Sequence, residues 1–87
     1  MKSIIQSECE CFVCGTTQWL EEHHILGGPN RKWSEKYGLK VYLCKRHHME
    51  AHQNRSLALK LKQTAQRAFE HKYKKMSFLA VFGRNYI

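Results

Sequence analysis

The chain of 87 residues contains no aspartate; its only acids are seven glutamates, set against fifteen lysines and arginines. Without aspartate there is no EF-hand loop and no Asp-centred phosphoryl-transfer site. Any metal chemistry must rest on histidine, cysteine and a few glutamates. Proline occurs once, at Pro29. There is no internal repeat and no low-complexity stretch. No apolar run is long enough to span a bilayer, so no membrane partner is expected. Met1-Lys2-Ser3-Ile4-Ile5 passes straight into Gln6, Ser7 and Glu8, without the apolar core of a signal peptide. These absences point to an intracellular chain. In a reducing compartment four cysteines serve better as thiolate ligands than as disulfides.

A chain of this size buries a modest core and commonly needs a metal or a disulfide to hold it. A single domain over residues 1–87 is expected, with a metal-bearing part at about 9–53 and a helical part at about 54–87. The charge is unevenly spread. Residues 1–30 carry one base and four acids, a net −3, whereas residues 31–87 carry fourteen bases and three acids, a net +11. A basic surface of that extent suits a polyanion, most simply nucleic acid.

The stretch Leu43–His52, LCKRHHMEAH, concentrates one cysteine and three histidines. Cys44 and His47 have the spacing of half a zinc site. Cys11 and Cys14, followed by Gly15 for a tight turn, supply the other half as a zinc knuckle. Cys11, Cys14, Cys44 and His47 would close a tetrahedral sphere, which makes a structural zinc that pins the start of the chain to the downstream helix. His48 could replace His47 as the fourth ligand. His47 is preferred because it mirrors the CxxC half and leaves His48 in register with His52. Cys9 reads as a spare thiol.

His48 and His52, four residues apart on a helix, project from one face and can share an ion. His23 and His24 are their partners from upstream. They sit in Gln18–Leu26, which alternates as a strand with Trp19, Glu21, His23 and Ile25 on one face. A regular strand would send His23 and His24 in opposite directions, so a shared site asks for a bend or bulge. A helical turn over Arg31–Tyr37 closed by Gly38 is expected next, then a strand Leu39–Leu43 and a helix from about Lys45 to Gln53. Asn54 or Ser56 can cap a further helix with Leu57, Leu61, Ala65, Ala68 and Phe69 as its apolar stripe. Ser77 can cap a last helix, Phe78–Phe82, ended by Gly83. The tail aromatics read as core, and His71 as helix surface.

A strand, a loop, a strand and a helix, with HHI at His23-His24-Ile25, LC at Leu43-Cys44 and CxxHH ending at His48, resembles the HNH, or ββα-metal (His-Me finger), nucleases. The upstream CxxC is shared with the zinc-containing branch, and small phage-encoded members look similar over most of this length. The resemblance is specific from Cys11 to His52. It implies a small α+β fold with a ββα-metal motif, a zinc knuckle and C-terminal helices. It also implies a metal-dependent DNA endonuclease in a bacterial cytoplasm or a phage-infected host. His24 then matches the general base. His23, His48 and His52 match the ligands of a catalytic divalent ion, with Mg²⁺, Mn²⁺, Ni²⁺ and Zn²⁺ all compatible with imidazole donors. Arg31, Lys32, Lys45 and Arg46 are candidates for flanking phosphates. A homodimer would suit cutting of both strands. One position departs from the family: where an asparagine usually precedes the downstream cysteine, this chain has Leu39, and Asn30 is the residue available to substitute. The competing readings are a non-catalytic zinc-stapled module that binds DNA or protein, and, well behind it, a redox protein using the CxxC.

Overall fold

The computed structural model describes residues 2–87. Strand β1 (Leu20–His24) is followed by a single 3-10 turn (Gly28–Asn30), helix α1 (Arg31–Tyr37), strand β2 (Lys40–Cys44), and helices α2 (Lys45–Gln53), α3 (Arg55–Lys72) and α4 (Phe78–Phe82). The two strands pair antiparallel, with Leu20 opposite Cys44, His23 opposite Val41 and His24 opposite Lys40. The result is a small compact α+β fold with a radius of gyration of 12.3 Å. Among the described residues no helix is long and apolar enough to cross a membrane.

The alternation of β2 buries Val41 and Leu43 on one face and leaves Tyr42 on the other. Against Val41 and Leu43 lies one core with Ile25, Leu26, Leu39 and the α3 stripe Leu61, Ala65 and Phe69. Phe69 is fully buried and its ring meets Tyr37, Phe78 and Phe82 at centroid distances of 5.3, 5.6 and 5.8 Å. The tail aromatics Phe78 and Phe82 are thus core, as expected, and His71 is exposed. Helix caps follow the sequence. Asn54 accepts from the Leu57 N–H, Ser77 accepts from the Ala80 N–H, and Gly38 and Gly83 end α1 and α4 with left-handed backbone. Gly38 has a second reason to be glycine: a Cβ there would strike the backbone of Lys2.

Residues near the amino end fasten the entry and outer edge of β2. The Ile4 N–H donates to the Gly38 carbonyl at 2.9 Å and the Ser3 hydroxyl to the Lys40 carbonyl at 2.5 Å. The Gln6 carboxamide oxygen accepts from the Tyr42 N–H at 2.8 Å. They satisfy the outer edge of β2, which a two-stranded sheet otherwise leaves open.

Two expectations about β1 need correction. The strand is shorter than Gln18–Leu26, and Trp19 lies outside it with a positive φ of 56° and 81% exposure. The strand also carries no bulge, because its register with β2 runs unbroken from Leu20 to His24. His23 and His24 therefore leave the sheet on opposite faces.

Beyond the strand the chain turns under a residue the sequence did not single out. The fully buried Ser34 hydroxyl donates to the Leu26 carbonyl at 2.7 Å and accepts from the Leu26 N–H at 3.1 Å. Its own carbonyl accepts from the Leu39 N–H at 2.8 Å. Ser34 thus ties the end of the β1 segment to the entry of β2. Ser34→Ala strands both polar groups of buried Leu26 and is expected to cost about 2–4 kcal/mol in urea unfolding. A midpoint equal to that of the wild type would show that Ser34 is dispensable there.

Candidate metal centres

Among the described residues three groups of side chains bring possible ligand atoms within 4.8 Å of one another: Cys11, Cys14, Cys44 and His47; His23, His48 and His52; and Glu22, His24 and Glu35.

The first group joins the knuckle to the β2–α2 junction. The backbone around it is tightly pinned, with the Cys11 N–H bonded to the Thr16 carbonyl, the Gly15 N–H to Cys11 and the Phe12 N–H to Tyr42, each at 2.8 Å. His47 Nδ1 lies 3.3 Å from Cys44 Sγ and 3.6 Å from Cys11 Sγ, and Cys14 Sγ lies 3.9 Å from Cys44 Sγ. A tetrahedron with metal–sulfur bonds of about 2.3 Å and metal–nitrogen bonds of about 2.0 Å has edges of about 3.8 Å and about 3.5 Å. The donor set fits one ion. Burial pushes the Cys11 thiol up, but the backbone N–H groups of Cys44, Cys14 and Val13 outweigh it and bring the group down to about 6. At Cys14 the Thr16 N–H pulls downward, yet desolvation and the neighbouring thiols of Cys11 and Cys44 raise the group. His47, not His48, joins the cysteines. Cys9 is exposed and outside the cluster.

The second group uses the β1 face that carries Glu21 and His23 and the α2 face that carries His48 and His52. Ring centroids are 5.1 Å apart for His23–His48, 5.6 Å for His23–His52 and 5.1 Å for His48–His52. The Glu21 carboxylate accepts from His48 Nδ1 at 2.8 Å, which leaves Nε2 of that ring as the free donor atom. His23 is buried, and desolvation, with the histidines His48, His52 and His24 and Lys62 adding to it, lowers it to about 4. It is therefore neutral at pH 7, the form that ligates.

The same shift fixes a pH dependence. An unfolded histidine titrates near about 6.5, so on acidification the unfolded chain takes up this proton before the folded one does. Stability linked to His23 is whole above about pH 6.5 and is lost as the pH falls toward about 4. Denaturant midpoints of wild type and His23→Gln, both loaded at the cysteine site and without added ion at the histidines, are expected to converge or cross as the pH drops from about 7 to about 5. A constant difference between the two would contradict it.

His24 faces the other way. Its Nε2 lies 3.7 Å from Glu22 and 3.8 Å from Glu35, beyond direct hydrogen bonding. Lys40 Nζ bonds Glu35 at 2.6 Å and lies 3.5 Å from Glu22. Burial alone would lower the Lys40 ammonium, but Glu35 and Glu22 raise it, and Lys40 in turn holds the Glu35 carboxyl below its usual range. An ammonium inside the Glu22–His24–Glu35 group already occupies its carboxylates and makes it a poor cation site.

A cleft of about 450 Å³ joins the two histidine faces and is lined by His23, His24, Gly27, Asn30, His52 and Lys62, among others. Lys62 was not anticipated; in sequence it is one lysine among several on α3, and only the packing of α3 beside α2 brings it here. Arg31, Lys32, Lys45 and Arg46 are exposed, at the starts of α1 and α2, and none of them lines this cleft. Asn30 donates its amide to the Phe82 carbonyl at 3.1 Å. Leu39 is fully buried core, and Ser34 restrains the loop between β1 and β2.

No protein-family model, curated protein or solved structure matches the chain.

Proposed function

We propose that this chain is a metal-dependent DNA endonuclease of the HNH, ββα-metal type. The observation that carries the reading is the convergence of His23, His48 and His52 at the edge of a cleft that His24 also lines. Zinc suits the Cys11–Cys14–Cys44–His47 group, whose three sulfurs and one nitrogen match its preferred donors. His23, His48 and His52 would hold the catalytic divalent ion. Three neutral imidazoles lean toward a transition metal. When bound, that ion supplies Lewis-acid charge to a phosphodiester.

The chain's own groups do the rest. His24 accepts a proton from the water whose oxygen attacks phosphorus, while the bond from phosphorus to the 3′ oxygen breaks and that oxygen leaves, taking a proton from solvent. Glu22 and Glu35 then face the imidazolium so formed. Lys62 holds a non-bridging phosphate oxygen in the cleft, and the exposed bases at the starts of α1 and α2 hold flanking phosphates. Glu21 keeps His48 in the tautomer that presents Nε2.

The second reading is a zinc-stapled binding module for DNA or protein. It draws on the orientation of His24 toward Glu22 and Glu35, away from the other three histidines. Cleavage of supercoiled plasmid with Mg²⁺, Mn²⁺, Ni²⁺ or Zn²⁺ separates the two. The nuclease reading expects nicking that depends on the added ion. A protein that keeps its structural metal and shifts DNA in a gel, yet cuts with no ion, is the binding module.

A further inference from the structure

Trp19 combines backbone strain with exposure of a large aromatic side chain. Its φ of 56° lies in the left-handed region that bulky L residues avoid. Its side chain is 81% exposed. The other tryptophan, Trp33, is half-buried, stacks on Tyr37 at 6.3 Å and lies beneath Lys32 and Lys36. The backbone of Trp19 is nevertheless pinned: its carbonyl accepts from the Lys45 N–H at 3.1 Å, and the next residue, Leu20, pairs with Cys44. Strain held at an exposed aromatic points to use by a ligand.

The surroundings say which ligand. A shallow groove of about 690 Å³ runs beside the indole, lined by Thr16, Gln18, Lys45, Arg46 and Met49, with Met49 itself 54% exposed. No acid lines it. The groove offers a flat aromatic, a polarisable thioether and two exposed cations. That pairs an apolar stacking surface with charge complementary to a phosphodiester backbone. Met49 follows His48 and so lies about 100° round α2 from it, which puts the groove beside the three-histidine face.

We propose that Trp19 and Met49, framed by Lys45 and Arg46, form a stacking platform for an unpaired nucleotide of single-stranded nucleic acid. An isolated indole can cover the face of a base only when that base has left its duplex. The preference is therefore for single-stranded or frayed substrate, a property the metal-site chemistry does not set. The choice of nucleic acid as occupant rests on the nuclease reading. The platform itself rests on the strain, exposure and charge at Trp19.

The test measures binding without added divalent ion, on protein loaded at the cysteine site. In a Trp33→Phe protein, Trp19 is the sole tryptophan, and its emission is expected to be quenched by oligothymidylate and much less by a matched duplex. In fluorescence anisotropy, Trp19→Ala is expected to weaken oligothymidylate binding about tenfold and duplex binding by less than about twofold, with Trp19→Phe close to wild type. The proposal is overturned if Trp19 emission is unchanged by the single strand, or if Trp19→Ala binds it like the wild type. Equal losses on both substrates also overturn it, as does a wild-type dimer that Trp19→Ala dissolves. Plasmid cleavage scores the nuclease reading separately. A protein that cuts but shows no Trp19 effect loses only the platform. One that fails to cut under every ion but shows quenching loses only the nuclease.

Discussion

Serine in place of Cys44 is expected to unfold this chain at ambient temperature. Cys44 ends β2, precedes the first turn of α2, and places its sulfur 3.3 Å from His47 Nδ1 and 3.9 Å from the Cys14 sulfur. A structural zinc bound by such a set contributes about 10–16 kcal/mol of apparent folding free energy near neutral pH. The whole stability of a small domain is about 5–15 kcal/mol, so losing the ion removes as much as the fold possesses. The consequence is amplified here because the core is thin. The knuckle at Cys11–Gly15 is held to the rest chiefly by this group and by a few backbone bonds such as Phe12 N–H to the Tyr42 carbonyl. Chelation of the wild type is expected to give the same collapse, read as loss of cooperative unfolding by circular dichroism and as reaction of the Cys11, Cys14 and Cys44 thiols, beyond that of Cys9, with a thiol reagent. Cys9→Ser is the control and is expected to be silent, since Cys9 is exposed and outside the cluster. A Cys44→Ser protein that still melts cooperatively at the wild-type midpoint would show that the cluster is not the staple.

The second large effect falls on chemistry rather than stability. His24→Ala is expected to lower plasmid cleavage by about 10²–10⁴-fold, the usual contribution of a positioned general base. It should leave divalent-ion affinity at His23, His48 and His52 nearly unchanged, because the His24 ring leaves the opposite face of β1 and lies among Glu22, Glu35 and Lys40. His48→Ala should do the reverse. It removes a ligand and orphans the Glu21 carboxylate, so activity falls through ion affinity and recovers in part as the ion concentration is raised. A His24→Ala protein that cuts at the wild-type rate would remove His24 from the reaction, whatever the fate of the metal ligands. The contrast between the two variants is informative because His24 lines the cleft and faces Glu22 and Glu35, whereas His48 joins His23, His52 and Glu21.

Much of the fold could be read before the structure. The bounds of α1 and α2 were legible because Gly38 stops one and the Cys44–Asn54 interval frames the other. The α3 stripe and the Ser77 cap were equally plain, since helical spacing and capping oxygens are local properties of sequence, and the choice between Asn54 and Ser56 falls to Asn54 in the structure. Leu61, Ala65 and Phe69 are buried as that stripe requires. Less visible were the roles of single polar residues. Ser34 looks like any helix serine, and Gln66 like any surface glutamine. Yet Ser34 bonds both backbone groups of Leu26, and Gln66 accepts from the Tyr86 N–H and donates to Asn85 at 2.6 Å, fastening the tail. Such contacts span 8 to 20 positions, and no periodicity announces them.

By itself the sequence determined which side chains can bind metal and in which half-sites. CxxC, CxxH and an i, i+4 histidine pair are set by covalent spacing, so Cys11 with Cys14 and His48 with His52 needed no tertiary information. How the halves combine was decided only in three dimensions. The β1–β2 register carries His23 over α2 to meet His48 and His52, and it turns His24 to Glu22 and Glu35. The rotation of α2 about its axis gives His47 to the cysteines and His48 to Glu21 and His23. The packing of α3 delivers Lys62 to the cleft, and the pinned start of β1 leaves Trp19 strained and exposed. The physical reason is common to all four. A side chain's direction follows from strand pleat or helix phase, but what it points at depends on burying one shared core, and that core is assembled from residues far apart in the chain.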